Sequence, residues 1–198
     1  GRTVTMLASE RAVLAIYAVA DTIKPGSREA IAGLHALGVS SIMLSGDNDT
    51  TARTIAGQAG IDAVRGDLLP EDKLTAIEDL RTRYGLTAMV GDGINDSPAL
   101  ARADIGIAMG AAGTDTAMEA ADIVIMNDDL RRIPEVIRLS RRTNAVLKQN
   151  IVLALGIKGA FLGLAIFASA TMWMAVFADM GASLIVVGNG LRLLRPVR

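Results

Sequence analysis

Residues 91–100, GDGINDSPAL, place two carboxylates and an amide within the stretch Asp92–Asp96, with no Lys or Arg among them. Asp92 and Asp96 would repel each other at close range unless a cation lies between them. Oxygen-only donors of this kind suit Mg²⁺, which is held by one or two carboxylates together with phosphate and water. Gly91 and Gly93 flank Asp92, so the backbone can turn sharply and approach a ligand closely. Asn95 adds a neutral oxygen donor. The plainer alternative is a solvated Asp/Asn/Gly turn.

Other loops carry complementary chemistry. Ser45-Gly46-Asp47 offers a hydroxyl and a flexible backbone amide suited to a phosphoryl oxygen. Lys73 falls in the first turn of a helix opening Pro70-Glu-Asp, where the helix dipole favours anions and gives a cation nothing. Its use there would be to neutralise a nearby phosphate; a solvated Lys is the alternative. Asp21-Thr-Ile-Lys24-Pro25 forms a polar turn stiffened by proline. Asp47-Asn-Asp49-Thr-Thr51 also spells DxDxT, in which Asp47 would be a nucleophile. Reading Ser45 as a phosphate grip and Asp49 as the N-cap of the next helix explains more residues.

The elements that must position these loops alternate. Strands are expected at 12–20, 39–44, 86–90, 105–108 and 123–126, and helices at 27–37, 50–59, 70–83, 98–102 and 114–120. Short apolar strands separated by helical patterns imply an α/β fold with a parallel sheet and right-handed crossovers, a Rossmann-like core. The loops named above then fall at the carboxyl ends of strands, where open α/β folds bind ligands.

The string 91–100 resembles the hinge motif GDGxNDxPAL of P-type ATPases at every specified position. By that resemblance Asp21, Lys24 and Pro25 are the hinge between nucleotide-binding and phosphorylation domains. Ser45-Gly46-Asp47 corresponds to the TGD motif, with Ser in place of Thr, and Lys73 to the phosphate-contacting lysine. The implied fold is a haloacid-dehalogenase-type phosphorylation domain over 21–133, preceded at 1–20 by the returning edge of a nucleotide-binding domain. ATP and Mg²⁺ are the implied cofactors, with Asp92 on Mg²⁺ and Asp96 and Asn95 completing its network. The family's phosphorylated aspartate, in a DKTGT motif, is not among these residues, so this chain alone is expected to be inactive.

Composition divides the chain. Its 198 residues carry a net charge of −1, which offers nucleic acid no basic surface, and hold no cysteine. The opening Gly1-Arg-Thr reads as the middle of a protein. A basic helical stretch at 134–149 reads as a cytoplasmic stalk. After it, 150–168 is apolar and long enough to cross a hydrocarbon core of about 30 Å at about 1.5 Å per residue. A turn at 169–171 leads into a second crossing at 172–189, so 150–198 is expected to form a membrane hairpin with a short tail. Basic residues at both ends and none at the turn place both ends in the cytoplasm. A buried soluble hairpin is the alternative.

Lys158 and Asp179 stand inside those apolar runs. Counted from the nearest basic residues, they lie about 15 Å and about 20 Å deep, so they can meet near the bilayer centre. Intramembrane ionisable residues are functional by default, and these two are each other's natural partners. Asp179 would be a hard oxygen ligand for a divalent cation and Lys158 its counter-ion; a purely structural pair is the alternative.

Lys158 with Asp179-Met-Gly, and the ending Gly188-Asn-Gly-Leu-Arg-Leu, resemble the zinc/cadmium/lead-exporting branch of the P-type ATPases. The resemblance implies an ATP-driven, membrane-embedded metal exporter, with the bilayer and the rest of the pump as partners. A copper exporter and a membrane-tethered phosphatase using Asp47 are the alternatives. His35, on the helix expected at 27–37, is expected to pack or face water.

Overall fold

The computed structural model describes residues 3–9, 11–19, 22–91, 96–110, 119–167 and 171–195. Asp21, Asp92 and Asn95, most of the helix expected at 114–120 and most of the turn at 169–171 lie outside the described residues. The chain divides into two compact units, Gly1–Pro134 and Glu135–Arg198.

The first unit opens with an antiparallel ribbon, β1 (Thr3–Ala8) against β2 (Val13–Val19), with Thr3 opposite Val19 and a bulge at Leu7/Ala8. The sequence reading leaves β1 unassigned. An α/β alternation follows: α1 (Ser27–Ala36), β3 (Ile42–Leu44), α2 (Asp49–Ala59), β4 (Ala63–Arg65), α3 (Pro70–Tyr84), β5 (Ala88–Gly91), α4 (Ser97–Arg102), β6 (Ile105–Met109) and β7 (Ile123–Ile125). Every strand pair after β2 is parallel, as the alternation requires.

Two details differ from expectation. The expected single sheet is two: β3–β4 and β5–β6–β7, with no ladder joining them among the described residues. Side chains join them instead, because Leu44 of β3 packs on a buried cluster of Ile77, Met89, Ala99 and Leu100. The strand expected at 39–44 begins only at Ile42, because the Val39 amide is spent on the Leu34 carbonyl at 3.0 Å, closing α1.

One device recurs where the parallel strands begin. Asp62, Asp104 and Asp122 each immediately precede a strand, and each carboxylate accepts a backbone N–H from the neighbouring chain segment. Ser41 donates to Asp62 at 2.7 Å, Thr87 to Asp104 at 2.9 Å and Gly106 to Asp122 at 2.8 Å. Amides at the start of a parallel ladder need partners from outside it, and these carboxylates supply them. Asp62 is held below the usual carboxylate range chiefly by the Ser41 amide, and Asp104 by the Thr87 amide and then Arg81.

The second unit is helical. α5 (Arg132–Phe167) starts in the first unit and runs unbroken through the stretch expected as stalk and first membrane crossing. α6 (Met172–Gly190) is capped by Thr171, which accepts the Met174 amide, and closes in a 3₁₀ turn, Leu191–Leu194. Both helices are long and apolar enough to cross a membrane.

Candidate functional site

Ser45, Lys73 and Asp96 each lie close in sequence to a residue of the buried cluster or to one packed against it. Leu44 precedes Ser45, Leu74 follows Lys73, and Ala99 and Leu100 lie in the first turns of the helix that Asp96 begins. Packing a few apolar side chains therefore fixes where the polar ones emerge. Met89 places the end of β5.

Lys73 and Asp96, twenty-three positions apart, form an ion pair at 2.7 Å. Both side chains are largely shielded, at 17% and 15% exposure, so the pair is protected from solvent in a way the surface pairs are not. An ammonium has three donors, so Lys73 keeps two for other oxygens while it holds Asp96. Gly91 makes this approach possible. A Cβ there would stand 3.0 Å from both Cβ and a carboxylate oxygen of Asp96.

Ser45 is buried and already engaged. Its hydroxyl donates to the Asp47 carboxylate at 3.0 Å and accepts the Asp47 amide at 3.1 Å. The Ser45 and Asp47 carbonyls accept the Leu68 and Asp67 amides at 3.0 and 2.7 Å, fastening this loop to the one after β4. That crossing needs Gly66, where a Cβ would come within 2.5 Å of Asp49 Cα. A Cβ on Gly46 would meet the Leu68 carbonyl at 3.3 Å, so the loop is tight at that point too.

The N-cap of α2 is Asn48, whose side chain accepts the Thr51 amide at 2.9 Å. Asp49, expected as the cap, is instead the first helical residue and pairs with Arg53, which holds its carboxyl low. Asn and Asp are nearly equivalent caps, so residue type alone could not choose between neighbours.

Lys24 pairs with Asp128 in the loop after β7. The same loop carries Arg131, which bonds Asp129 and Glu29 and lies against Gly26, the residue that opens α1 at φ 82°. His35 is half-exposed and bonds Asp62 at 2.9 Å, tying the end of α1 to the start of β4. Neither partnership was legible from local spacing.

In the second unit Lys158 Nζ lies 3.7 Å from an Asp179 carboxylate oxygen. That is an ion-pair distance and too long for a hydrogen bond. Among the described residues no group of three or more His, Cys, Asp or Glu side chains is placed to hold a metal ion.

A family model described as "Hydrolase: haloacid dehalogenase-like hydrolase" matches residues 1–104. The chain belongs to the haloacid dehalogenase-like hydrolases. This haloacid dehalogenase-like chain is 50% identical over 196 residues to a "Probable cadmium-transporting ATPase" of Alkalihalophilus pseudofirmus, covering 98% of the chain and 27% of that protein. It is 46% identical over 195 residues to a zinc/cadmium/lead-transporting P-type ATPase of Escherichia coli, covering 98% of the chain and 26% of that protein. A crystal structure of a zinc-transporting PIB-type ATPase in an E2.Pi state matches with a TM-score of 0.87 at 45% identity, covering 98% of this chain and 32% of the other. The chain thus spans about a quarter of the curated relatives' length. The resemblance carried by 91–100, and the expected α/β fold followed by apolar helices, are borne out.

Proposed function

We propose that the chain is part of an ATP-driven P-type pump that exports zinc, cadmium or lead through an aspartyl-phosphate intermediate, whose nucleophile lies outside these residues. The observation that carries this reading is the Lys158–Asp179 pair, held between two apolar helices that follow a haloacid dehalogenase-like unit. An ion pair between two apolar helices makes sense as a transport site and has little value as surface decoration.

In this reading Lys73 keeps one donor on Asp96 and offers the others to phosphoryl oxygens. Ser45 offers its hydroxyl by rotating off Asp47, while the Gly46 amide adds a donor that needs no rearrangement. Mg²⁺ fits the donor set. Lys73 holds Asp96, and Asp92 would be the carboxylate on the cation, with Asp96 and Asn95 completing its network. When bound, the ion would neutralise charge on the transferred phosphoryl group. Asp21 and Lys24 form the hinge toward the nucleotide-binding domain. Asp179 supplies one carboxylate to the transported ion, whose other ligands come from other membrane segments, and Lys158 is the counter-ion that helps expel it.

The pump is an integral protein of the cell membrane. The basic residues around Arg138–Lys148 and Arg192–Arg195 keep the first unit and both ends of the hairpin on the cytoplasmic side. Its partners are ATP, the metal ion, lipid and the pump's remaining domains.

The deciding experiment reconstitutes the complete pump in liposomes and measures ATP hydrolysis against Zn²⁺, Cd²⁺, Pb²⁺ and Cu⁺. Stimulation by the divalent ions and not by Cu⁺ is expected. Stimulation by Cu⁺ alone would replace the assignment with copper export.

A further inference from the structure

Three polar contacts join α5 to α6 and its terminal turn along one antiparallel seam. Nearest the cytoplasmic end, the Arg142 guanidinium donates to the Arg195 carbonyl at 3.0 Å and also to the Arg192 carbonyl. Eight residues on, the Asn189 amide donates to the Asn150 side chain at 2.9 Å and more weakly to Gln149 at 3.4 Å. Eight residues further along α5 comes Lys158, paired with Asp179. The partners on α6 descend as those on α5 ascend, as one register of an antiparallel pair demands.

The first contact has a clear chemical cause. The last carbonyls of a helix have no intrahelical donor, and they carry the negative end of its dipole. Arg142 donates to two carbonyls at that end from the neighbouring helix, the Arg192 carbonyl also accepting the Arg195 amide at 3.4 Å, with a guanidinium whose charge suits the dipole. The second contact is anchored from behind, because the Asn189 carbonyl oxygen accepts from Arg192 at 3.0 Å. Its amide group is thereby oriented toward Asn150. Deeper in the hairpin Gly156, Gly159 and Gly163 of α5 have no atom within 4 Å of where a Cβ would stand. Below Lys158 no further polar side-chain contact between the helices is found among the described residues.

We propose that Arg142, Asn150 and Asn189 are positioning residues that lock the axial register of α6 against α5, and that this register decides whether Lys158 reaches Asp179. The role of the pair in metal transport rests on the pump reading above; the lock itself does not. A slip of one turn, about 5.4 Å, would break the Asn150–Asn189 bond and carry Asp179 beyond the reach of Lys158. The stretch Arg142–Asn150 is thus the part of α5 through which displacement at the cytoplasmic end is delivered to the metal site.

The test uses the complete pump in liposomes with two readouts. In Asn189→Ala and Asn150→Ala the zinc-stimulated kcat of ATP hydrolysis should fall about tenfold while bound zinc at equilibrium changes less than about twofold, and the double variant should be no worse than either single. Asn189→Gln, which retains an amide, should bring kcat most of the way back. If Asn189→Ala does not accumulate folded, Arg142→Lys, which keeps the charge but loses the fork, should lower kcat in the same way. The second readout is independent of transport. Spin labels on Leu162→Cys and Val176→Cys should give a distance distribution that shifts or broadens on the scale of a helical turn when Asn189→Ala is added. An unchanged distribution, or an unchanged zinc-stimulated kcat in folded Asn189→Ala and Arg142→Lys, overturns the proposal. A wild-type pump unresponsive to zinc and cadmium would strike the pump reading and leave the distance measurement to decide the lock.

Discussion

Lys73 Nζ lies 2.7 Å from the Asp96 carboxylate, a link between the first turn of α3 and the residue that opens α4. Each charge is shielded, and each is acceptable there because of the other. Removing one partner strands the other in a site poorly served by solvent, which costs more than the pair is worth. Lys73→Ala and Asp96→Ala should therefore each lower the unfolding midpoint of the first unit more than the double variant does. In the complete pump, Lys73→Ala should cut phosphoenzyme formation by about 10²-fold or more, as expected for losing a charge aimed at a phosphoryl group. Wild-type phosphoenzyme in that variant would reduce the pair to a structural tie.

Asp104 yields a pH prediction. The Thr87 amide, then Arg81, hold its carboxyl below the usual value, as related contacts do for Asp62 and Asp79. A carboxylate with a depressed folded-state pKa contributes stability that is present above its unfolded value of about 3.9 and is lost as pH falls through the folded value. The urea midpoint of the chain should thus be nearly flat from pH 7 to pH 5 and fall steeply below about pH 4. Asp104→Asn should start lower at pH 7 and fall less steeply in acid. An identical acid slope in both proteins would assign the loss to other carboxylates.

The α/β alternation was legible because helical and strand periods differ, and the site loops were legible because glycine, proline and carboxylates concentrate at strand ends. The pair between Lys158 and Asp179 was legible because helix rise converts sequence distance into depth. What stayed hidden was tertiary. Nothing near Asp62, Asp104 or Asp122 says that their carboxylates reach a neighbouring segment's amide. Nothing near Lys24 points to Asp128, more than a hundred positions away. The break between β3–β4 and β5–β6–β7 depends on which backbone edges meet, and periodicity carries no information about that.

Asp47 is the residue on which the phosphatase alternative depends. Ser45 donates to its carboxylate, and the Asp47 carbonyl is tied to Asp67, so the group is committed within its own loop. Incubating the 198-residue chain with labelled ATP and Mg²⁺ should leave no acid-stable, hydroxylamine-sensitive phosphate on it. Label that appears and vanishes in Asp47→Asn would restore the nucleophile reading.

Asp92 carries the Mg²⁺ assignment and is tested separately from its neighbours. Asp92→Ala removes one of few carboxylates available to the ion, since Asp96 is held by Lys73. Phosphoenzyme formation in the complete pump should be abolished, while zinc binding in the membrane hairpin persists. Phosphorylation at the wild-type level in Asp92→Ala would remove the role assigned to 91–100.

Lys158 and Asp179, 3.7 Å apart, should separate binding from release when changed one at a time. If Asp179 is a ligand of the transported ion, Asp179→Ala removes it and leaves Lys158 without its partner, so bound zinc and zinc-stimulated ATP hydrolysis should both fall. Lys158→Ala leaves the carboxylate free to bind metal but removes the cation that competes for it, so bound zinc should persist while turnover drops. Equilibrium zinc content and turnover in the two single variants of the reconstituted pump distinguish these outcomes. Wild-type stoichiometry and rate in Asp179→Ala would make the pair structural, because no step of transport would then depend on its charge.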